Sequence, residues 1–220
     1  MIEPVFKSQK PVIFIGAAEF RADDLSDTLT YASDIVAADG GLSAVLAAGL
    51  EPQAVIGDFD SATPEDLARV PSDKQFKISD QDTTDFEKCL ERVQAPLVFA
   101  LGFSGGRLDH ELAVLHALGR FSKRRVVVVG KVDIAFLAPL DLRLDLKPGT
   151  RVSLVPLGPV TGSSQGLKWP IDGLEFLPVG QIGTSNEALG PVSLSFDEPR
   201  MLVVLPRQEL SAAVQGLMPP

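Results

Sequence analysis

The chain has 220 residues, 45% of them hydrophobic, and a formal net charge of −9. This apolar content is sufficient for a buried core and excludes an intrinsically disordered chain. The acidic balance disfavours nucleic acid and anionic membranes as partners, so a polyanionic substrate would require a metal ion or a local basic patch. With a single cysteine, no signal-peptide pattern and no apolar run of about 20 residues, we expect a cytoplasmic protein without a membrane partner.

Residues 1–140 alternate short apolar runs with amphipathic stretches, which predicts a doubly wound, mostly parallel sheet with helices. The apolar runs are PVIFIG, DIVAADGG, AVIGDFDS, PLVFALG and RVVVVG, at residues 11–16, 34–41, 54–61, 96–102 and 125–130. The predicted helices are GLSAVLAAGL, TPEDLARV, TTDFEKCLERV and RLDHELAVLHALGRF, with a capping box between Thr84 and Glu87 in the third. Ligands of such sheets bind beyond the carboxyl ends of the strands.

The pattern changes near residue 139, where PLDLRLDLKPGT begins to alternate apolar and polar residues. The runs RVSLVPL, GLKWPI, VSLSF and MLVVLP follow, interrupted by Gly, Pro, Ser and Asn. Such short strands without intervening helices predict a C-terminal antiparallel β-sandwich over residues 141–220. The predicted fold class is therefore α/β followed by β.

Acidic residues end two neighbouring predicted strands. Asp58 and Asp60 close the run AVIGDFDS, and residues two apart in an extended segment point to the same side. Carboxylates so placed repel each other unless a proton or a cation lies between them, and Mg²⁺ is the natural mediator. Asp39 ends the neighbouring run and precedes Gly40 and Gly41, whose backbone could approach a phosphate. Turn-forming aspartates are the alternative that these residues alone leave open.

A glycine-rich loop and an arginine follow the fourth predicted strand. In LGFSGGRLDHELAVL, Gly105 and Gly106 lie between strand and helix, Arg107 lies at the helix start, and Asp109 lies in the first turn. A positive charge at a helix N-terminus opposes the helix dipole, which is understandable if the arginine clamps a phosphate. The segment matches neither the P-loop nor the dinucleotide fingerprint. A glycine-rich loop with a surface Arg–Asp pair is the alternative.

The segment SDQDTTDFEKCL adds Asp80, Asp82 and Asp85 near a helix start, where free N–H groups can receive a phosphate oxygen. Helix capping accounts for part of this pattern. Taken together, the acidic strand ends, the glycine loop and the arginine specify Mg²⁺ with a nucleotide polyphosphate, and a phosphoryl or pyrophosphoryl transfer.

The blocks ADGG, GDFDS, DQDTTDFEKCL and GGRLDH resemble those of thiamine pyrophosphokinase, and GLKWP and TSNEALG resemble its C-terminal β domain. The resemblance covers about residues 12–205. It implies a thiamine diphosphokinase, an ATP-dependent diphosphotransferase that converts ATP and thiamine into AMP and thiamine diphosphate with Mg²⁺. It also implies a homodimer with the active site at the subunit interface, residues 1–140 forming the nucleotide- and metal-binding catalytic domain and residues 141–220 the thiamine-binding domain.

The resemblance also implies roles for the residues that match the family blocks. The implied catalytic residues are Asp58, Asp60, Asp85, Arg107 and Asp109. The implied metal ligands are Asp39, Asp58, Asp60 and Asp85. The implied nucleotide-binding residues are Asp39, Gly40, Gly41, Thr84, Gly105 and Gly106. The implied thiamine-binding residues are Gln81, Asp85, Ser185 and Asn186.

In the implied reaction the hydroxyl of thiamine attacks the β-phosphorus of ATP, and Asp85 accepts the hydroxyl proton or only orients the nucleophile. The segment after Asn186 lacks an aromatic residue that some family members carry. Trp169 is a stacking candidate by type only, because a lone Trp in a β unit is more often a core or dimer contact. Cys89 is interpreted as a small core residue.

Two rival functions remain open at this point. The first is another metal-dependent enzyme, either a diphosphokinase for a different hydroxymethyl heterocycle such as a pterin or a phosphohydrolase. The second is a non-catalytic module that binds a nucleotide or thiamine.

Overall fold

The computed structural model describes residues 3–218, and the chain divides into two compact units. The first unit extends to Ala117 and includes Val128–Lys131. The second unit comprises Leu118–Val127 and the residues from Val132 onward. Parallel strands and helices build the first unit, whereas antiparallel strands build the second.

Short strands alternate with helices in the first unit. The strands are β1 (Phe6–Lys7), β2 (Val12–Ile15), β3 (Asp34–Ala38), β4 (Ala54–Gly57), β5 (Gln75–Lys77), β6 (Val93–Gln94), β7 (Val98–Leu101) and β8 (Val126–Val129). The helices are α1 (Ala22–Leu29), α2 (Gly41–Ala47), α3 (Pro64–Ala68), α4 (Asp85–Arg92) and α5 (Leu108–Arg120). A 3₁₀ turn, Ser72–Lys74, precedes β5.

Five of these strands form a parallel sheet in the order β5-β4-β3-β2-β7. Ile13 of the central strand β2 lies opposite Ile35 of β3 on one side and Phe99 of β7 on the other. Strands β2, β4, β7 and β8 are buried along their whole length, as strands covered on both faces must be. All five predicted apolar runs are strands, which confirms the predicted α/β architecture.

The sequence patterns do not predict α1 and β5. Helix α1 has the polar sequence ADDLSDTL, in which Leu25 is buried and Leu29 is exposed, so no apolar stripe is visible. Strand β5 is only three residues long and has the sequence QFK, so it lacks the apolar run of the inner strands. None of its residues is fully buried. Hydrogen bonding to β4 stabilises the extended conformation of β5, which its sequence alone does not indicate.

Capping residues mark the starts of two predicted helices, α3 and α4. Thr63 caps α3 by accepting a hydrogen bond from the Asp66 amide, and Pro64 occupies the first helical position. Thr84 and Glu87 form the predicted capping box of α4, with the Thr84 amide 3.0 Å from Glu87 Oε2. The start of α4 is thereby fixed at Asp85.

The buried face of α4 packs into the core of the first unit. Phe86 meets Phe14 edge-on, with ring centroids 6.5 Å apart, and lies 4.8 Å from the ring of Phe103. Cys89 is fully buried, and this burial raises the pKa of its thiol. The interpretation of Cys89 as a core residue is therefore confirmed.

Gly41 allows α2 to pack closely against β2. It is buried, and a Cβ atom added at Gly41 would lie 1.9 Å from the carbonyl oxygen of Ile15. A contact this short with backbone cannot be relieved by turning a side chain, so one of the two elements would have to move.

The second unit consists of antiparallel strands and a C-terminal helix. The strands are β9 (Asp133–Leu137), β10 (Asp141–Leu144), β11 (Arg151–Pro156), β12 (Val160–Leu167), β13 (Glu175–Phe176), β14 (Gly183–Phe196) and β15 (Met201–Pro206). A 3₁₀ turn, Arg207–Glu209, leads into α6 (Leu210–Leu217).

The long strand β14 joins two sets of strands. Its residues 183–187 pair with β11, which pairs with β15, and β15 pairs with β9. Its residues 192–196 lie between β10 and β12. Between the two parts, Gly190 adopts φ 155°, a backbone conformation that other residues rarely take. A strand shared in this way connects the layers of the antiparallel β-sandwich that the sequence predicts.

Among residues 3–218, every helix is too short or too polar to cross a membrane.

The packing of α2 yields a stability prediction. We expect Gly41→Ala to lower the free energy of unfolding by about 1–3 kcal/mol, because the new methyl group would overlap the Ile15 carbonyl. Chemical denaturation monitored by circular dichroism measures this change. Ser43→Ala, at an exposed position of the same helix, is the matched control and should change stability by less than about 0.5 kcal/mol. Wild-type stability of Gly41→Ala would contradict the packing argument.

Candidate active site

A cavity of about 510 Å³ lies in the first unit, at the carboxyl ends of the parallel strands. Residues after β2, β3, β4 and β7 line it, together with the loop before α4 and the start of α5. The lining residues on which the argument below depends are Gly40, Asp58, Gln81, Thr84, Asp85, Lys88, Gly106 and Arg107. This edge of a parallel sheet is where the strand order predicts a ligand site.

Three of the predicted metal ligands come together beside this cavity. Asp39, Asp58 and Asp60 each offer a carboxylate oxygen, and these oxygens all lie within 4.8 Å of one another. Asp39 is buried, Asp58 is partly buried and Asp60 is exposed. The fourth predicted ligand, Asp85, lines the cavity but is not part of this group.

Two backbone amides from the segment after β4 hold the side chain of Asp39 in place. Its carboxylate accepts hydrogen bonds from the Ser61 and Ala62 amides, at 3.2 and 3.1 Å. Burial raises the pKa of Asp39 to about 6, because these hydrogen bonds offset only part of the cost of desolvating the charge. The nearby Asp60 and Asp85 carboxylates also raise the pKa of Asp39.

Gly57 makes room for Asp39. A Cβ atom added at Gly57 would lie 2.6 Å from the Cβ of Asp39, so any larger residue would displace the acidic side chain. Asp39 itself adopts φ 43° and Phe59 adopts φ 64°, a region that non-glycine residues seldom occupy. Backbone strain of this kind is concentrated at functional sites, where the surrounding structure enforces it.

Asp58 is held as a carboxylate by three donors. Partial desolvation favours its neutral form, but hydrogen bonds from the Asp60 amide and the Gln81 side chain, together with the charge of Lys88, outweigh this effect. The pKa of Asp58 is therefore below its usual value. Gln81 Nε2 lies 3.1 Å from Asp58 Oδ2, which places the predicted thiamine-binding glutamine next to the acidic group.

Lys88 is a cavity residue that the sequence reasoning missed. Its side chain is 3% exposed, and its Nζ lies 2.9 Å from Asp85 Oδ1 and 3.5 Å from Asp58 Oδ2. Burial opposes its charge, yet the two carboxylates outweigh burial and raise the pKa of Lys88. The spacing of Asp85 and Lys88, three apart on α4, is the signal that could have indicated this pair.

Arg107 and Asp109 form an exposed ion pair at the start of α5. Arg107 donates two hydrogen bonds to Asp109, at 3.1 and 2.6 Å. This pairing raises the pKa of Arg107 and lowers the pKa of Asp109. The surface Arg–Asp pair that the sequence left open is therefore present, and Arg107 lines the cavity at the same time.

The remaining predicted nucleotide contacts differ in position. Gly40, Thr84 and Gly106 line the cavity. Gly105 adopts φ 76° and donates its amide to Glu111 Oε2. Gly41 is buried against β2 and lies outside the cavity lining, so we do not include it among the phosphate contacts proposed below.

In the second unit, Asn186 clamps the backbone of Trp169. Asn186 is buried, its Nδ2 donates to the Trp169 carbonyl at 2.7 Å, and its Oδ1 accepts from the Trp169 amide at 3.2 Å. Oδ1 also accepts a hydrogen bond from the Glu187 amide. The polar atoms of the predicted thiamine-binding asparagine thus hold a neighbouring segment in place.

Ser185 and Trp169 flank this clamp. Ser185 adopts φ 61°, and its amide donates to Ser153 Oγ at 3.0 Å. Trp169 is 54% exposed, which excludes the core as its location within one chain, and Lys168 Nζ lies 4.9 Å from its ring centroid. An exposed aromatic ring with a fixed backbone can present a flat surface to a ligand or to another protein.

Two family models match consecutive parts of the chain. The model described as thiamin pyrophosphokinase, catalytic domain, matches residues 25–129. The model described as thiamin pyrophosphokinase, vitamin B1 binding domain, matches residues 140–201. The first match contains the acidic residues of the cavity, and the second contains Trp169 and Asn186.

Individual proteins give the same result. A rice protein (Oryza sativa subsp. japonica) named Thiamine pyrophosphokinase 3 is 31% identical over 157 residues, which cover 62% of this chain and 58% of that protein. A Caenorhabditis elegans protein named Thiamin pyrophosphokinase 1 is 29% identical over 187 residues, covering 76% and 75%. The chain therefore spans about three fifths of the length of the rice relative, given the 58% coverage.

A solved structure shows the shared fold. The thiamin pyrophosphokinase from Candida albicans superposes with a TM-score of 0.76 at 18% sequence identity, covering 92% of this chain and 94% of that one. At this level of identity the likeness concerns the fold alone.

The clamp on Trp169 yields a prediction that fluorescence can test directly, because the chain contains one tryptophan. We expect Asn186→Ala to lower the free energy of unfolding by about 1–3 kcal/mol, since it removes the hydrogen bonds of a buried side chain to the backbone of Trp169 and Glu187. Steady-state fluorescence anisotropy of Trp169 should fall as its backbone is released. Thr184→Ala, at an exposed position of the same strand, is the control. Unchanged anisotropy in Asn186→Ala would contradict the clamp.

Proposed function

We propose, because the chain belongs to the thiamin pyrophosphokinase family, that it transfers the diphosphoryl group of ATP to the hydroxyl of thiamine. The products are thiamine diphosphate and AMP. One observation carries the proposal: Asp39, Asp58 and Asp60 converge beside a cavity at the carboxyl edge of a parallel sheet. A dense acidic group at this edge suits a metal–polyphosphate substrate and has no evident use in packing.

The three carboxylates fit Mg²⁺, which takes hard oxygen ligands and keeps several water molecules. Asp39, Asp58 and Asp60 would hold the ion. When bound, Mg²⁺ neutralises phosphate charge and supports the displacement at phosphorus. Asp85, predicted as a fourth ligand, lies outside this group of carboxylates and pairs with Lys88, so we assign it to the acceptor.

The protein's own groups would position the two substrates. Arg107 is proposed to bind phosphate oxygens while Asp109 holds its guanidinium in place, and Gly106 leaves room for the polyphosphate. Asp85 is proposed to orient the hydroxyl of thiamine, and Gln81 to contact the same substrate. Phosphoryl transfer depends mainly on positioning and electrostatics, so Asp85 need not take the proton to contribute.

The two parts of the chain are proposed to contribute differently, with Asp85 and Gln81 of the first part also reaching the thiamine substrate. Residues 1–140 would bind ATP and metal, because the cavity and acidic group lie within them. Residues 141–220 would bind thiamine, with Ser185 and Trp169 as the contacts and Asn186 as their support. The match of residues 140–201 to a vitamin B1 binding domain supports this assignment.

A cytoplasmic homodimer with its active site at the subunit interface is part of the same proposal. Many of the exposed large apolar side chains fall in one segment of the second unit, residues 169–189. The members of this segment are Trp169, Leu174, Leu177, Val179, Ile182 and Leu189. Exposed apolar side chains in such number are typical of a surface that meets another protein chain.

The one cysteine is buried and free, which suits a reducing compartment.

A product assay tests the proposal. The protein is incubated with ATP, Mg²⁺ and thiamine, and the nucleotide products are separated. AMP formation that depends on thiamine is the expected result. Free phosphate without thiamine would instead identify a phosphohydrolase, AMP formed only with a pterin alcohol would identify another diphosphokinase, and binding without turnover would identify a non-catalytic module.

Removal of one carboxylate tests the acidic group. We expect Asp58→Asn to lower kcat by about 10²–10³-fold, because one of the three proposed metal ligands loses its charge, while the fold is retained. Asp80→Asn is the control, because Asp80 accepts hydrogen bonds from the Asp82 amide and the Thr83 hydroxyl and does not line the cavity. Steady-state kinetics and circular dichroism measure both effects. Wild-type turnover in Asp58→Asn would exclude it as a metal ligand.

The raised pKa of Asp39 makes the proposed metal binding dependent on pH. A carboxylate must lose its proton before it can ligate Mg²⁺, and the pKa of Asp39 is about 6 in the metal-free protein. We expect the apparent Kd for Mg²⁺ to be nearly constant above about pH 7 and to rise by up to about tenfold per pH unit below about pH 6. Isothermal titration calorimetry measures this dependence. A Kd that stays constant from neutral to mildly acidic pH would show that Asp39 does not ligate the ion.

A further inference from the structure

Lys88 is the buried cation of the cavity, and its placement relative to two carboxylates has a functional consequence. Its side chain is 3% exposed, and it lines the cavity alongside Asp58 and Asp85. Its Nζ donates to Asp85 Oδ1 at 2.9 Å and lies 3.5 Å from Asp58 Oδ2. The ammonium group therefore lies between the two acidic side chains to which the proposed reaction gives different tasks.

The two carboxylates come from separate parts of the first unit. Asp85 is the first residue of α4, whereas Asp58 follows β4. Gln81 adds a hydrogen bond to the same Asp58 oxygen that faces Lys88. Lys88 consequently connects α4 to the β4 loop and sets the separation between their acidic groups.

The charge of Lys88 is tied to these two carboxylates. Burial disfavours an ammonium group, but Asp85 and Asp58 outweigh this cost and raise the pKa of Lys88. An apolar side chain of similar length would fill the same space but leave both carboxylates without the cation. Lys88 therefore belongs to the acidic group of the cavity and to its chemistry.

We propose that Lys88 is a positioning residue for the transfer reaction, which holds Asp85 towards the acceptor hydroxyl. This inference rests on the proposed function. Because its positive charge faces Asp58, Lys88 also repels a divalent cation bound to that carboxylate. Lys88 thus increases turnover and weakens metal binding at the same time.

These opposite effects distinguish positioning from a general structural role. In Lys88→Met the aliphatic stem is kept and the charge is removed. We expect Mn²⁺ alone, measured by calorimetry, to bind about tenfold more tightly, because the repulsion at Asp58 is gone. We expect kcat to fall about 100-fold, with KM for ATP changed by less than about threefold, because Asp85 loses its orientation. A distorted site would lose both metal binding and turnover.

A double-mutant cycle identifies the partner through which Lys88 acts. If Lys88 positions Asp85, then Asp85→Asn with Lys88→Met should be no slower than Asp85→Asn alone. Lys131→Met is the matched control, because Lys131 also pairs with a carboxylate, Glu19 at 3.3 Å, but on the exposed surface. It should leave kcat and Mn²⁺ affinity unchanged.

Each outcome decides the proposal. Wild-type kcat in Lys88→Met, additive losses in the cycle, or Mn²⁺ binding that is unchanged or weaker would overturn it. If Lys88→Met does not fold, Lys88→Gln keeps a hydrogen-bond donor without the charge, and the same comparisons apply. If the wild-type protein forms no AMP from ATP and thiamine, the proposed function fails, and the Mn²⁺ measurement alone then decides whether Lys88 opposes metal binding.

Discussion

Repulsion between carboxylates at one edge of the parallel sheet is the constraint on which the rest of the site depends. Asp39, Asp58, Asp60 and Asp85 lie around one cavity, and a protein that only had to fold would gain from separating them. Three features of the structure offset this repulsion. Burial raises the pKa of Asp39 to about 6, amide and side-chain donors hold Asp58, and Lys88 faces Asp58 and Asp85. In the proposed function, a bound cation would neutralise the remaining negative charge of these carboxylates.

Backbone geometry keeps the acidic groups close together. Gly57 leaves space for the side chain of Asp39, and the unusual backbone angles of Asp39 and Phe59 turn the chain where these strands end. Ser185, the third non-glycine residue with positive φ among residues 3–218, lies in the segment that supports Trp169. In the described part of the chain, positive φ angles at non-glycine residues are thus confined to segments that the sequence analysis singled out for their chemistry.

Much of the fold could be predicted from the sequence. Buried parallel strands have continuous apolar sequences, and capping residues mark the starts of helices. Helix α1 and strand β5 could not be predicted, because neither carries such a pattern. The acidic group of Asp39, Asp58 and Asp60 was predictable from strand ends that meet at one edge. Lys88 was not, because a lysine three residues after an aspartate on a helix is usually a solvated pair, and only packing shows that this one is buried. The hydrogen bonds of Asn186 to Trp169 likewise depend on a contact between distant segments.

Helix α4 carries Asp85 and Lys88 towards the cavity and Cys89 into the core. Burial raises the pKa of that thiol, so the native protein holds it un-ionised and out of reach of alkylating reagents. Any modification of Cys89 must therefore pass through an opening of α4 or of the whole unit. The rate of labelling consequently reports how often this helix detaches, and the change in that rate on adding metal or nucleotide measures how strongly the ligand closes the site.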